Sequence, residues 1–86
     1  MRISTRGRYG VRALVAIVKA GKALSAAHIA RSENLSPPYL EQIFNRLKRA
    51  GLINARRGAH GGYWLSRPAN QISVGDVIEI LDGPIT

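Results

Sequence analysis

No cysteine occurs in the 86 residues. That excludes disulfides, thiolate zinc sites, a protein-held iron–sulfur cluster and a cysteine nucleophile, so no cofactor is expected on this chain. Long apolar runs are missing too. The longest, Ala13–Val18, falls well short of the roughly 20 residues a bilayer-spanning helix needs. The opening Met1–Gly10 carries Arg2, Arg6 and Arg8 but no signal-peptide core with a cleavage pattern. The expectation is a cytoplasmic protein with no membrane partner.

Sets of chemistry-bearing residues are also lacking. No Ser–His–Asp spacing and no paired carboxylates point to catalysis, so no enzyme is expected. His28 and His60 stand without a nearby cysteine, and the acid nearest His28 in sequence, Glu33, is lone. A metal site is therefore not expected. The glycines at 58, 61 and 62 precede neither a Gly-Lys-Ser/Thr sequence nor a helix start, which excludes a phosphate-cradling nucleotide loop.

Acid is scarce. Asp and Glu total 5 against 13 Lys and Arg, for a net charge of +8. All the bases lie before Pro68, accompanied there only by Glu33 and Glu41, while the tail carries Asp76, Glu79 and Asp82. Only Lys19, Lys22 and Lys48 of the bases are lysine. Arginine forks bind phosphate in bidentate fashion, so this balance fits a nucleic-acid partner. A basic, well-solvated surface is the plainer alternative.

What is present reads as one small domain, with 45% apolar residues and no linker or repeat. A chain this short buries about 60–65% of its unfolded surface and is marginally stable alone. A first helix is predicted from Ser4-Thr5 to Ala20, stopped by Gly21. Val11, Leu14, Val15 and Val18 form one apolar stripe, and Tyr9, Ala13, Ala16, Ile17 and Ala20 another. Arg8, Arg12 and Lys19 make a basic stripe between them. The Ala13, Ile17 and Ala20 face is expected to need cover from a partner chain.

Ser25 is the expected cap of a short helix, Ala26–Glu33, with Ile29 and Ala30 inward. Asn34, Leu35 and Ser36 then form a turn, with Asn34 suited to a left-handed backbone and Ser36 to a cap. The next helix, Pro37–Ala50, has Pro37 at its favoured start and Gly51 just past its end. Leu40, Ile43, Phe44 and Leu47 give it a clean inner stripe. Pro38, Gln42, Asn45 and Arg49 project opposite, with Tyr39 and Arg46 flanking one side and Glu41 and Lys48 the other. Two short strands, Leu52–Arg57 and Tyr63–Ser66, flank a glycine-rich tip. Ser73 caps a last helix with Val74, Val77, Ile78 and Leu81 as its core face, ended by Asp82-Gly83-Pro84.

The fold class is therefore mainly α with a small β-hairpin. Helix, tight turn, helix and a basic hairpin form the winged helix-turn-helix plan. It covers residues 1–86, with the two motif helices at about 25–50, the wing at about 52–66 and the following helix at about 73–82. Such a second helix fits the major groove. The wing then reaches the neighbouring minor groove or backbone.

Several stretches together carry a family resemblance. They are Ile3-Ser4-Thr5-Arg6-Gly7-Arg8-Tyr9-Gly10, Leu35-Ser36 with Tyr39-Leu40-Glu41-Gln42, and Ala50-Gly51-Leu52. Arg57-Gly58-Ala59-His60-Gly61-Gly62-Tyr63 and Val74-Gly75-Asp76-Val77-Ile78 complete the set. The chain resembles the Rrf-two family of winged-helix transcription regulators over essentially its whole length. The resemblance implies a dimeric repressor or activator on a partly palindromic double-stranded DNA operator. It implies that Ser36, Pro38, Tyr39, Glu41 and Gln42 face DNA and that Arg57 enters the minor groove. The family continues into a dimerisation helix and, in many members, a three-cysteine cluster site. Both lie past Thr86, so cluster sensing has no place on these residues, and dimerisation of this 86-residue chain is expected to be weak or altered. A winged-helix module for RNA or an acidic protein is the alternative function.

Each candidate keeps a plainer reading. Glu41 accepts from cytosine N4, or is a solvated carboxylate or pairs with a distant arginine. Gln42 reads adenine or is simply polar surface. Tyr39 bonds phosphate or is half-buried core. Arg6, Arg8 and Arg12 touch phosphate or form a solvated stripe. Arg46 and Arg49, further along the helix, suit phosphate better than bases. Arg57, His60 and Gly61 are the wing contacts, Arg56 alternates to the other strand face, and Trp64 anchors the wing.

Overall fold

Each of the four α-helices among the described residues begins on a serine. The computed structural model describes residues 3–83. In it α1 is Thr5–Ala20, α2 Ala26–Ser32, α3 Pro37–Arg49 and α4 Val74–Asp82. Ser4, Ser25, Ser36 and Ser73 cap them, each hydroxyl accepting from an amide three residues on. A hydroxyl there satisfies one of the amides that a helix start leaves without a partner. Gly21 ends α1 at φ 64°, donating its amide to the Ile17 and Val18 carbonyls. Between α2 and α3, Asn34 adopts φ 57° as its side chain allows.

The inner stripe of α3 is the centre of the core: Leu40, Ile43, Phe44 and Leu47 are all fully buried. Ile29 of α2, Leu81 of α4 and Ala13 and Ile17 of α1 close around it. Strands β1 (Ile53–Arg56) and β2 (Gly62–Leu65) pair antiparallel in register from Ile53 opposite Leu65 to Arg56 opposite Gly62. The other edge of β2 is also held. Tyr63 donates to the Leu24 carbonyl at 2.7 Å and accepts from its amide at 3.1 Å. The wing is thus hydrogen-bonded to the segment entering α2. Where the sequence showed only a break after Arg67, one 3-10 turn spans Ala69–Gln71.

The face of α1 left open is the expected one only at Ala20, which is exposed. Ala13 and Ile17 are core, while Val15 and Val18 are 43% and 46% exposed. Gly7 and Gly10 explain the reversal. With Ala13, Leu14 and Ile17 they form the buried side of α1, and a β-carbon at Gly10 would overlap the Leu81 side chain. Glycine adds no hydrophobicity to a periodicity count, yet it lets two helices approach. Val74, expected in the core, is 56% exposed at the start of α4. It lines an apolar groove with Val11, Val15 and Val18 instead. Pro84 of the expected helix stop lies outside the described residues.

Candidate nucleic-acid interface

The outward side of α3 follows from its inward side. With Leu40, Ile43, Phe44 and Leu47 buried, helical geometry turns Pro38, Glu41, Gln42, Asn45 and Arg49 to solvent, and all are exposed. Tyr39 and Arg46 sit half-buried on one flank. Tyr39 meets the Tyr9 ring of α1 edge-on, 6.3 Å between centroids. Ser36 is exposed, and its hydroxyl oxygen accepts from the Tyr39 amide at 3.3 Å.

The other flank of α3 faces the wing across a cleft of about 550 Å³. Glu41, Asn45 and Lys48 of α3 line it on one side and Arg56, Arg57 and the Gly58-Ala59 tip of the wing on the other, and Ser25 lines it as well. Tyr63 also lines this cleft, its ring tilted against Phe44 at 4.6 Å between centroids. Burial pushes the Tyr63 hydroxyl above the usual phenol range; the Glu41 carboxylate adds to this and the Arg57 guanidinium opposes it. Three bases therefore share the cleft with one acid. Among the described residues no ion pair ties Glu41 down; the pair found there joins Arg12 to Glu33 at 2.8 Å.

The structure sorts the sequence candidates by place. Glu41 and Arg57 line the same cleft, with Gln42 and Pro38 on the adjoining open face of α3. His60 is exposed at the wing tip. Gly61 closes that tip, its amide donating to the Gly58 carbonyl at 2.9 Å, and a β-carbon there would overlap the Arg56 carbonyl. Arg8 lies elsewhere, beside Ile3, Val74 and Ile78 on the α4 side of α1. Arg12 is engaged by Glu33, its Nε donating to Glu33 Oε1. Arg56, expected on the opposite strand face, shares the cleft with Arg57. Arg57 follows the end of β1, where strand alternation no longer governs direction. Tyr63, Lys48 and Asn45 were not singled out as site residues. A signal for two of them existed: Glu41, Asn45 and Lys48 are spaced i, i+4, i+7 along α3.

A hairpin bearing arginines beside the open face of a helix-turn-helix defines a winged helix-turn-helix protein. The family described as Rrf2, iron-dependent transcriptional regulator, matches residues 3–86, and the chain belongs to it. It is 44% identical to the HTH-type transcriptional regulator IscR of Cereibacter sphaeroides over 95% of this chain and 56% of that protein. It is also 44% identical to the HTH-type transcriptional regulator CymR of Bacillus subtilis, over 100% of this chain and 64% of that one. The solved structure of CymR, the global cysteine regulator of B. subtilis, superposes with a TM-score of 0.91 at 42% identity, covering 99% of this chain and 67% of the other. IscR of T. potens does so with 0.86 at 41% identity, covering 100% and 64%. The chain thus spans between about half and two thirds of the length of the relatives it matches.

The family description names iron. Cysteine is absent from the sequence. Among the described residues no group of three His, Cys, Asp or Glu side chains stands close enough to hold a metal ion. Nor is any described helix long and apolar enough to cross a membrane.

Proposed function

We propose that this chain is the DNA-reading part of a sequence-specific transcription regulator, a repressor or activator rather than an enzyme, acting in the cytoplasm on double-stranded DNA. The outer face of α3 enters the major groove, where Glu41 accepts from cytosine N4 and Gln42 pairs with adenine. Pro38 and Tyr39 approach at the N-terminal turn of the helix, next to Ser36. Arg57 enters the minor groove or grips its backbone, with His60 and Gly61 near the strand. Arg46 serves phosphate.

One observation carries this reading. The inner stripe of α3 is fully buried while the polar stripe opposite is open, directly beside a wing that presents Arg56 and Arg57. Homodimerisation belongs to the same reading. The uncovered Val11, Val15, Val18 and Val74 surface supports a second copy, which would set half-sites about 34 Å apart or a multiple of it.

Selection from a random duplex pool tests the function. A regulator of this kind enriches particular sequences by roughly 10³-fold or more over unselected duplex. Equal retention of every duplex, or preference for RNA or an acidic protein in competition, overturns it.

A further inference from the structure

Tyr39 stands in the first turn of α3, and other elements hold its ring in place. The Tyr9 ring of α1 meets it edge-on, with 85° between the ring planes. The Arg12 guanidinium, one turn along α1, lies 5.6 Å from the centre of the Tyr9 ring. The same guanidinium donates through Nε to Glu33 Oε1 at 2.8 Å.

Glu33 occupies a sensitive place. It is the C-cap of α2 and directly precedes Asn34, whose positive φ turns the chain toward α3. Its side chain is 15% exposed against 55% for Arg12, so the acid is the sheltered member of the pair. Arg12 therefore touches both things that set the entry of α3: the turn before it and the aromatic contact on its first turn. A guanidinium does both at once, because it donates to a carboxylate while its charge lies over a ring.

We propose that Arg12 and Glu33 are positioning residues for the recognition helix. Their ion pair, laid over Tyr9, fixes the Asn34 turn and the Tyr39 ring so that the outer face of α3 meets base edges in register. This rests on the DNA-reading function proposed above. It also assigns Arg12 a role other than phosphate contact, and the two roles give opposite results at Glu33.

The test compares the parent chain with Arg12→Gln, Glu33→Gln and the double variant. Affinity is measured across a salt series on the duplex that the parent selects from a random pool and on unselected duplex. Each single variant is expected to lower the selected-to-unselected ratio by about tenfold, within what one readout contact is worth. The double variant is expected to lose no more than either single one, as for residues acting as a unit. The salt slope stays that of the parent, because no phosphate contact is lost. Arg12→Lys keeps a charge opposite Glu33 without the guanidinium over the Tyr9 ring, and recovers part of the ratio.

If Arg12→Gln weakens both duplexes alike with a shallower salt slope while Glu33→Gln leaves affinity unchanged or raises it, Arg12 is a phosphate contact and the proposal is wrong. An unchanged ratio in both single variants overturns it equally. A parent chain that selects no sequence overturns the DNA reading and the proposal together, and is recognised before any variant is compared. Helical circular dichroism identifies a variant that fails to fold; Arg12→Lys then carries the test, and a ratio no lower than the parent's refutes the role of the guanidinium.

Discussion

Asp82 accepts hydrogen bonds from both the amide and the hydroxyl of Ser4, its partner at the far end of the described chain. The Ser4 oxygen in turn accepts from the Gly7 amide at 3.0 Å, as the cap of α1. The last residue of α4 therefore completes the start of α1, with a carboxylate at the positive end of that helix. Gly7 permits the approach: a β-carbon there would lie 2.8 Å from Asp82 Oδ2.

This contact makes stability depend on acid. The Ser4 hydroxyl, above all, holds the Asp82 carboxyl below its ordinary value near 3.8; burial opposes it, and the Ser4 amide, the Arg6 charge and the Gly7 amide add smaller effects in the lowering direction. A folded-state value below the unfolded one stabilises the fold fully above the ordinary value. That contribution is lost as pH falls through the lower, folded value. Asp82→Asn is expected to cost about 1 kcal/mol near neutrality, discounted for solvent screening, and to flatten the acid limb of a plot of urea midpoint against pH.

Two glycine substitutions are expected to act in opposite directions. Gly10→Ala gains helix propensity of about 1 kcal/mol but forces a methyl group into Leu81, which is fully buried. Overpacking costs about 1–3 kcal/mol, so a net loss of stability follows. Gly75→Ala meets nothing nearer than Ser73 Oγ at 3.8 Å. It is expected to stabilise by about 0.5 kcal/mol, within the propensity range. Thermal melting of the two variants checks the contrast.

Ser36 separates a cap from a contact. Ser36→Ala is expected to cost about 1 kcal/mol of stability, the usual worth of a cap, while Ser36→Asn keeps the cap. Chemical denaturation then reports the capping role. Lower DNA affinity in the Asn variant, which keeps the cap, would show that the hydroxyl also meets DNA.

In the cleft, Glu41 and Arg57 are expected to fail differently. Glu41→Ala relaxes preference at one or two base pairs by about 1–3 kcal/mol. Arg57→Ala weakens all duplexes and lowers the salt slope by about one. Quantitative binding to single-base-pair variants of the selected duplex distinguishes them. Equal loss on selected and random duplex in both variants would remove the readout role of Glu41.

What was legible from residue order is what neighbours within a turn or two decide. Serine caps, the Gly21 and Gly51 stops, the Asn34 turn and the inner stripe of α3 are short-range signals, because caps and helical faces involve residues three or four apart. The outward stripe bearing Glu41 and Gln42 followed from the same spacing. The inward side of α1 did not. That helix is apolar nearly all round, and close packing of Gly10 against Leu81 chose the side. Nor could spacing pair Asp82 with Ser4, Arg12 with Glu33 or Tyr63 with the cleft. Each joins separate elements, and only the packing of helices and wing around Phe44 brings those side chains within reach.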